Sequence, residues 1–213
     1  MPTDFLLDGP EAARVTIMLA HGAGAPMDSA SLTAAARALA AAEFRVARFE
    51  FGYMAGRRTG TRRPPPRAET VMPEYVAAID DLGPTDGPLI VGGKSMGGRV
   101  ASMIADAEFA AGRIAGLLCL GYPFHPPGRP QRLRTTHLIG LQTPALICQG
   151  TRDQFGMPDE VAGYGLSKSI EMLWLEDGDH DLKPRKAISG FTTAQHLETI
   201  ADRVTAWVGR IAG

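Results

Sequence analysis

Three residue types able to do acyl-transfer chemistry occur far apart in this chain: Ser95 within "GGKSMGGR" (92–99), Asp153 within "GTRD" (150–153) and His180 within "GDHDLKPR" (178–185). Two signals overlap at the serine. Gly93-Lys94-Ser95 matches the end of a phosphate-binding P-loop, and Gly93-Lys94-Ser95-Met96-Gly97 is a G-x-S-x-G turn. A P-loop requires a glycine where Pro88 stands, and Gly87 is out of register. The residues between, "LIVG", read as a strand, and "LLCLGYP" ends in no aspartate for magnesium, so nucleotide binding is disfavoured. The G-x-S-x-G reading asks for small residues two before and two after a nucleophile on a cramped strand-to-helix turn. Gly93 and Gly97 meet that demand, and Gly98 adds slack.

A serine hydroxyl is a poor nucleophile until an imidazole takes its proton, and the imidazole needs a carboxylate to hold its tautomer. Asp153 follows the run "ALICQGT" and His180 follows "IEMLWLE", so serine, acid and histidine come in the order expected of this chemistry. Asp177 and Asp179 compete for the acid role, but their nearness to His180 reads as loop-forming. His137 and His196 read as structural or solvent-facing. Donors for an oxyanion are expected from "HGAGAPMD" (21–28), with the Ala23 amide first and Gly22 second, and from the amide of Met96. His21 reads as a brace for that turn. "GYPFHPPG" (121–128) offers Tyr122, Phe124 and His125 as acyl-pocket lining, or equally as packing of a proline-stiffened loop. Lys94 pairs with a carboxylate or points to solvent, with no catalytic role. "GRRTGTRRPPPR" (56–67) reads as a solvated, mobile loop, or as a basic rim for acidic substrates or an anionic partner.

These residues need strands to carry them. Apolar runs at 14–20, 45–51, 88–93, 114–122, 145–151 and 170–176 read as strands, and helical patterning covers 28–44, 68–82, 95–110 and 193–211. Such alternation predicts an α/β fold: a doubly wound, mostly parallel sheet with helices on both faces, in one domain over residues 1–213. Reactive groups in such folds sit at the carboxyl ends of strands, where Ser95, Asp153 and His180 all fall. Only 23 residues (122–144) separate the strand after the serine helix from the strand before Asp153, too few for a cap built of ordinary helices. The net charge of −1 argues against nucleic acid or a membrane surface as partner. The start "MPTDFLLDGPEAAR" lacks the basic and apolar regions of a signal peptide. Cys119 and Cys148, both in apolar runs, read as buried reduced thiols of a cytoplasmic protein.

Taken together, "HGAG", "GGKSMGGR", "GYPFHPPG", "GTRD" and "GDHDLKPR" resemble the α/β-hydrolase superfamily, and more narrowly the small lidless hydrolases related to dienelactone hydrolase. The resemblance implies a Ser95–Asp153–His180 triad and carboxylic-ester hydrolysis with no metal or organic cofactor. Expected partners are small-molecule or polymeric esters. Dienelactone hydrolase itself uses a cysteine nucleophile, so the serine departs from it. Thioesterase and acyl-peptide hydrolase chemistry use the same machinery. A catalytically idle hydrolase fold serving as an interaction module is the alternative of a different class, since some relatives belong to larger assemblies.

Overall fold

The computed structural model describes residues 2–212. Strands β1 (Phe5–Asp8), β2 (Thr16–Ala20), β3 (Arg45–Phe49), β4 (Leu89–Lys94), β5 (Gly116–Leu120), β6 (Ala145–Gly150) and β7 (Ile170–Leu175) form one sheet in the order β1-β3-β2-β4-β5-β6-β7. Every pairing is parallel except β1 with β3. Strands β2, β4, β5 and β6 are buried along their whole length, as continuous apolar runs without alternation require. Within them the side chains still alternate: Ile17 and Leu19 face one helical layer, Met18 and Ala20 the other.

The first layer is α1 (Ala30–Ala41) with the long α8 (Thr193–Ile211), which place Leu32, Leu39, Val204 and Trp207 against the sheet. The second is α3 (Met72–Leu82) with α4 (Met96–Ala110), contributing Tyr75, Ile79, Val100 and Ile104. Helices thus cover both faces, as expected. A capping box between Thr192 and Gln195 starts α8. At α1, Ser29 holds the N-cap position without a side-chain bond.

Besides three single helical turns, two elements lie outside the sequence reading. β1 adds an antiparallel edge, and α2 (Gly52–Arg58) occupies the start of the arginine run. Arg57 and Arg58 therefore lie in the last turn of a helix rather than in a loop, where cations suit the helix dipole. Arg58 is tied to Glu50 at 2.7 Å and Asp28 at 2.9 Å, so this part of the run is anchored. Between β5 and β6 the only helix is the single turn α5 (Thr136–Ile139); α6 (Pro158–Val161) and α7 (Lys186–Ser189) are also single turns. No cap covers the sheet's carboxyl end there. Cys119 and Cys148 are buried free thiols. Among the described residues, no helix is long and apolar enough to cross a membrane.

Candidate active site

β4 runs directly into Ser95 and α4 begins at Met96. Ser95 itself has φ 52° and ψ −114°, a conformation a side-chain-bearing residue holds only when its surroundings over-determine it. Main-chain bonds do so here: Ser95 N–H donates to the Leu120 carbonyl and Arg99 N–H to the Ser95 carbonyl, both at 3.0 Å. The turn also packs hard against the end of β2. A Cβ added at Gly97 would stand 2.4 Å from the Ala20 carbonyl oxygen, and one at Gly93 equally close, so both positions require glycine.

Just past the end of β6, Asp153 is fully buried, and both of its carboxylate oxygens are engaged. Its Oδ1 accepts from Phe155 N–H at 2.9 Å, and Oδ2 accepts from Gln149 Nε2 at 2.9 Å and faces His180 Nδ1 at 2.8 Å. A buried acceptor-only carboxylate places the proton on Nδ1, which leaves Nε2 bare toward Ser95 Oγ, 2.8 Å away. The Phe155 ring lies 4.1 Å from the imidazole, tilted by 35°. The structure thus brings Ser95, Asp153 and His180 into one hydrogen-bonded line. Such a line can move a proton from the serine to the imidazole and hold the charge that results.

The "HGAG" turn follows β2 and passes beside the serine: a Cβ at Gly22 would meet Ser95 Cβ at 3.7 Å. His21 fastens this turn, with Nδ1 2.6 Å from the Gly22 carbonyl and Nε2 accepting from Phe51 N–H at 3.1 Å. Both ring nitrogens are used by the neutral form, and burial draws its pKa below the ordinary value. The Tyr53 hydroxyl donates to the Ala23 carbonyl at 3.0 Å, fixing the peptide plane that follows. Met96 is the first residue of α4, where an N–H has no partner four residues back. Gly22 and Met96 thus adjoin Ser95 from the turn and from the helix, with Ala23 next along the turn.

Other expected residues lie elsewhere. Of the two readings of "GYPFHPPG", pocket lining and packing, the burial of Tyr122 and His125, at 0% and 2% exposure, fits packing. The Tyr122 hydroxyl reaches Ser102 at 3.2 Å and His137 at 3.2 Å, and His125 Nδ1 faces the Pro126 carbonyl at 2.9 Å. Phe124 is equally buried. Packing is therefore the reading that applies to this loop. Asp179 accepts from the N–H groups of Asp181 and Lys183, a loop-forming role. Asp177 instead pairs with Arg185 and Arg152, which hold its carboxyl below the usual carboxylate range. His196 faces the Leu182 carbonyl.

Sequence reasoning missed Gln149 and Phe155. Gln149 is fully buried, accepts from Tyr122 N–H at 2.7 Å and donates to Asp153. The available signal was a lone amide in the otherwise apolar run "ALICQG". Also outside the reading is a cavity of about 510 Å³ between α2 and the 61–74 segment, lined by Tyr53, Thr61, Arg63 and Glu74 among others. Among the described residues, no three His, Cys, Asp or Glu side chains group to hold a metal.

His137 gives a stability prediction. Its half-buried ring faces Ser102 Oγ at 2.8 Å, and burial beside Arg99 lowers its pKa from 6.5 to about 4. As pH falls through that window the unfolded chain takes up the proton first, so stability is present above about 6.5 and lost toward 4. Partial exposure screens the effect, leaving about 1–2 kcal/mol. Denaturant melts at pH 7 and 4.5 should show that much extra loss for the wild type over His137→Gln; equal losses would refute it.

A family model, "Alpha/beta hydrolase domain", matches residues 13–209. The chain belongs to the α/β-hydrolase family. Solved structures similar to this α/β hydrolase include a serine hydrolase without a lid from Xanthomonas campestris, at 20% identity over 98% of this chain and 88% of that one, TM-score 0.68. Dienelactone hydrolase from Anabaena variabilis is 19% identical over 99% and 93%, TM-score 0.71. Est1E from Butyrivibrio proteoclasticus, with ferulic acid bound, is 16% identical over 98% and 95%, TM-score 0.69. At these identities the likeness establishes the fold.

Proposed function

We propose that this α/β hydrolase is a serine carboxylesterase acting on short-acyl esters, including bulky or polymeric ones. The observation that carries the reading is the unbroken line from Asp153 through His180 to Ser95, 2.8 Å at each step, at a sheet end without a cap. Ser95 Oγ attacks the carbonyl carbon while His180 Nε2 takes its proton. The oxyanion is held by the amides of Ala23 and Met96, with Gly22 giving the turn its close approach. Collapse breaks the bond to the leaving alcohol, which receives the proton from His180. Water then repeats the cycle on the acyl-enzyme and frees the acid.

The substrate class follows from the missing cap. An uncovered groove buries too little of a long acyl chain to gain its transfer free energy, about 0.8 kcal/mol per buried methylene. It nevertheless admits esters that a closed pocket would refuse. The lidless serine hydrolase among the structural neighbours supports this. We expect kcat/KM to fall from acetate to palmitate esters with no jump at a dispersed interface, and slow cleavage of soluble or emulsified aliphatic polyesters. Preference for palmitate that rises with micelles would refute the open site. A fluorophosphonate probe separates this reading from an idle scaffold: it labels an activated serine and spares an inert one.

A further inference from the structure

Lys94 lies beside the nucleophile and carries a charge that the line of Ser95, His180 and Asp153 does not use. Its side chain is only 10% exposed, at the carboxyl end of β4. A buried ammonium is unfavourable unless partners offset its lost hydration, so what it binds is informative. Nζ donates to the main-chain carbonyl of His180 at 2.5 Å and stands 3.5 Å from Asp181 Oδ1. From the end of β5, Gly121 closes the same cleft: a Cβ there would stand 2.7 Å from the His180 carbonyl oxygen and 3.1 Å from Nζ. Lys94 therefore links the strand that carries the serine to the loop that carries the histidine.

We propose that Lys94 is a positioning residue for His180, holding its backbone in register with Ser95 and opposing the imidazolium with a nearby positive charge. The inference rests on the serine-hydrolase reading. Asp153 orients the ring, yet that bond alone leaves the position of the His180 main chain to its loop. The Lys94 tether supplies the second fixed point, and because Lys94 directly precedes Ser95, it ties the spacing of Oγ and Nε2 to a single rigid strand end. Its charge also matters. The charged groups around the pair are Asp153 just past the end of β6, Asp179 and Asp181 from the histidine's own loop, which favour the ammonium, and the half-exposed Lys183, 3.8 Å from Asp181. Phe155 and Gly121, which complete the surroundings, are uncharged. Desolvation draws the Lys94 pKa down, as expected for a cation so enclosed. Lys94 is the buried cation set among these carboxylates.

The test is Lys94→Met, which keeps length and removes charge and donor. A displaced base slows chemistry more than binding, so kcat per fluorophosphonate-labelled site should fall about 10- to 100-fold while KM moves less than about threefold. With the opposing cation gone, the acidic limb of the kcat/KM profile should move to higher pH. Lys94→Arg keeps the charge and should return that limb to the wild-type position. Lys94→Gln, which retains a donor in the cleft, carries the same pH test should the methionine variant not fold. A kcat per labelled site within about threefold of wild type, or a lower kcat with an unmoved limb, overturns the proposal. Wild-type protein that takes no fluorophosphonate sinks the hydrolase reading and this one with it; a labelled wild type beside an unaffected variant sinks this one alone.

Discussion

Replacing Ser95 with alanine is expected to lower kcat by about four to six orders of magnitude, since a nucleophile and its base act as a unit. The fold should not notice. Both hydrogen bonds that hold the Ser95 backbone in its strained turn are main-chain bonds, to Leu120 and from Arg99, and alanine keeps them. The side chain's one partner is His180 Nε2, which is 2.8 Å away at a partly open site and can turn to water. Melting temperature should therefore stay within a few degrees, as for substitutions away from the core. Ester hydrolysis is measured on protein free of contaminating esterases, alongside fluorophosphonate labelling. A variant keeping more than about a tenth of wild-type activity would show that another group attacks.

What was legible in the sequence was whatever depended on local pattern. Continuous apolar runs marked the interior strands, and the glycines around Ser95 marked a turn too tight for side chains, because β2 lies against it. The order of Ser95, Asp153 and His180 placed each at a strand's carboxyl end, and the parallel sheet brings those ends together. The misses share a cause. β1 has four residues and α2 begins at a glycine, so neither shows a period long enough to read. For Tyr122 and His125 the local pattern leaves pocket lining and packing equally open, because the choice depends on distant contacts such as those of Gln149 on β6 with the Tyr122 main chain. The ammonium of Lys94 meets a carbonyl from 86 residues later, a contact that no local pattern encodes.

Asp153→Asn should cost about 10⁴-fold in kcat, although it changes one atom. The carboxylate receives hydrogen bonds on both oxygens: Phe155 N–H on Oδ1, and Gln149 Nε2 and His180 Nδ1 on Oδ2. An asparagine offers one oxygen and one NH2 group. If its oxygen stays with Phe155, the NH2 faces two donors, and His180 must give up the Nδ1 proton to accept from it. The proton then resides on Nε2, pointing at Ser95, and the imidazole has no lone pair left to activate the hydroxyl. If the amide flips, its oxygen can serve His180, but its NH2 now opposes the main-chain N–H of Phe155, and a buried donor pair without acceptor costs about 1–3 kcal/mol. The first arrangement abolishes the base; the second weakens the loop that holds the acid. Both predict slow turnover with folded protein, the flipped form because a neutral amide no longer stabilises the imidazolium, and that form adds a lower melting temperature. The measurement is kcat across pH with thermal melts, set against Asp177→Asn. Asp177 is bound to Arg185 and Arg152 rather than to an imidazole, so its replacement should spare chemistry. Should Asp177→Asn abolish turnover while Asp153→Asn leaves it within about tenfold of wild type, the acid has been assigned to the wrong strand end.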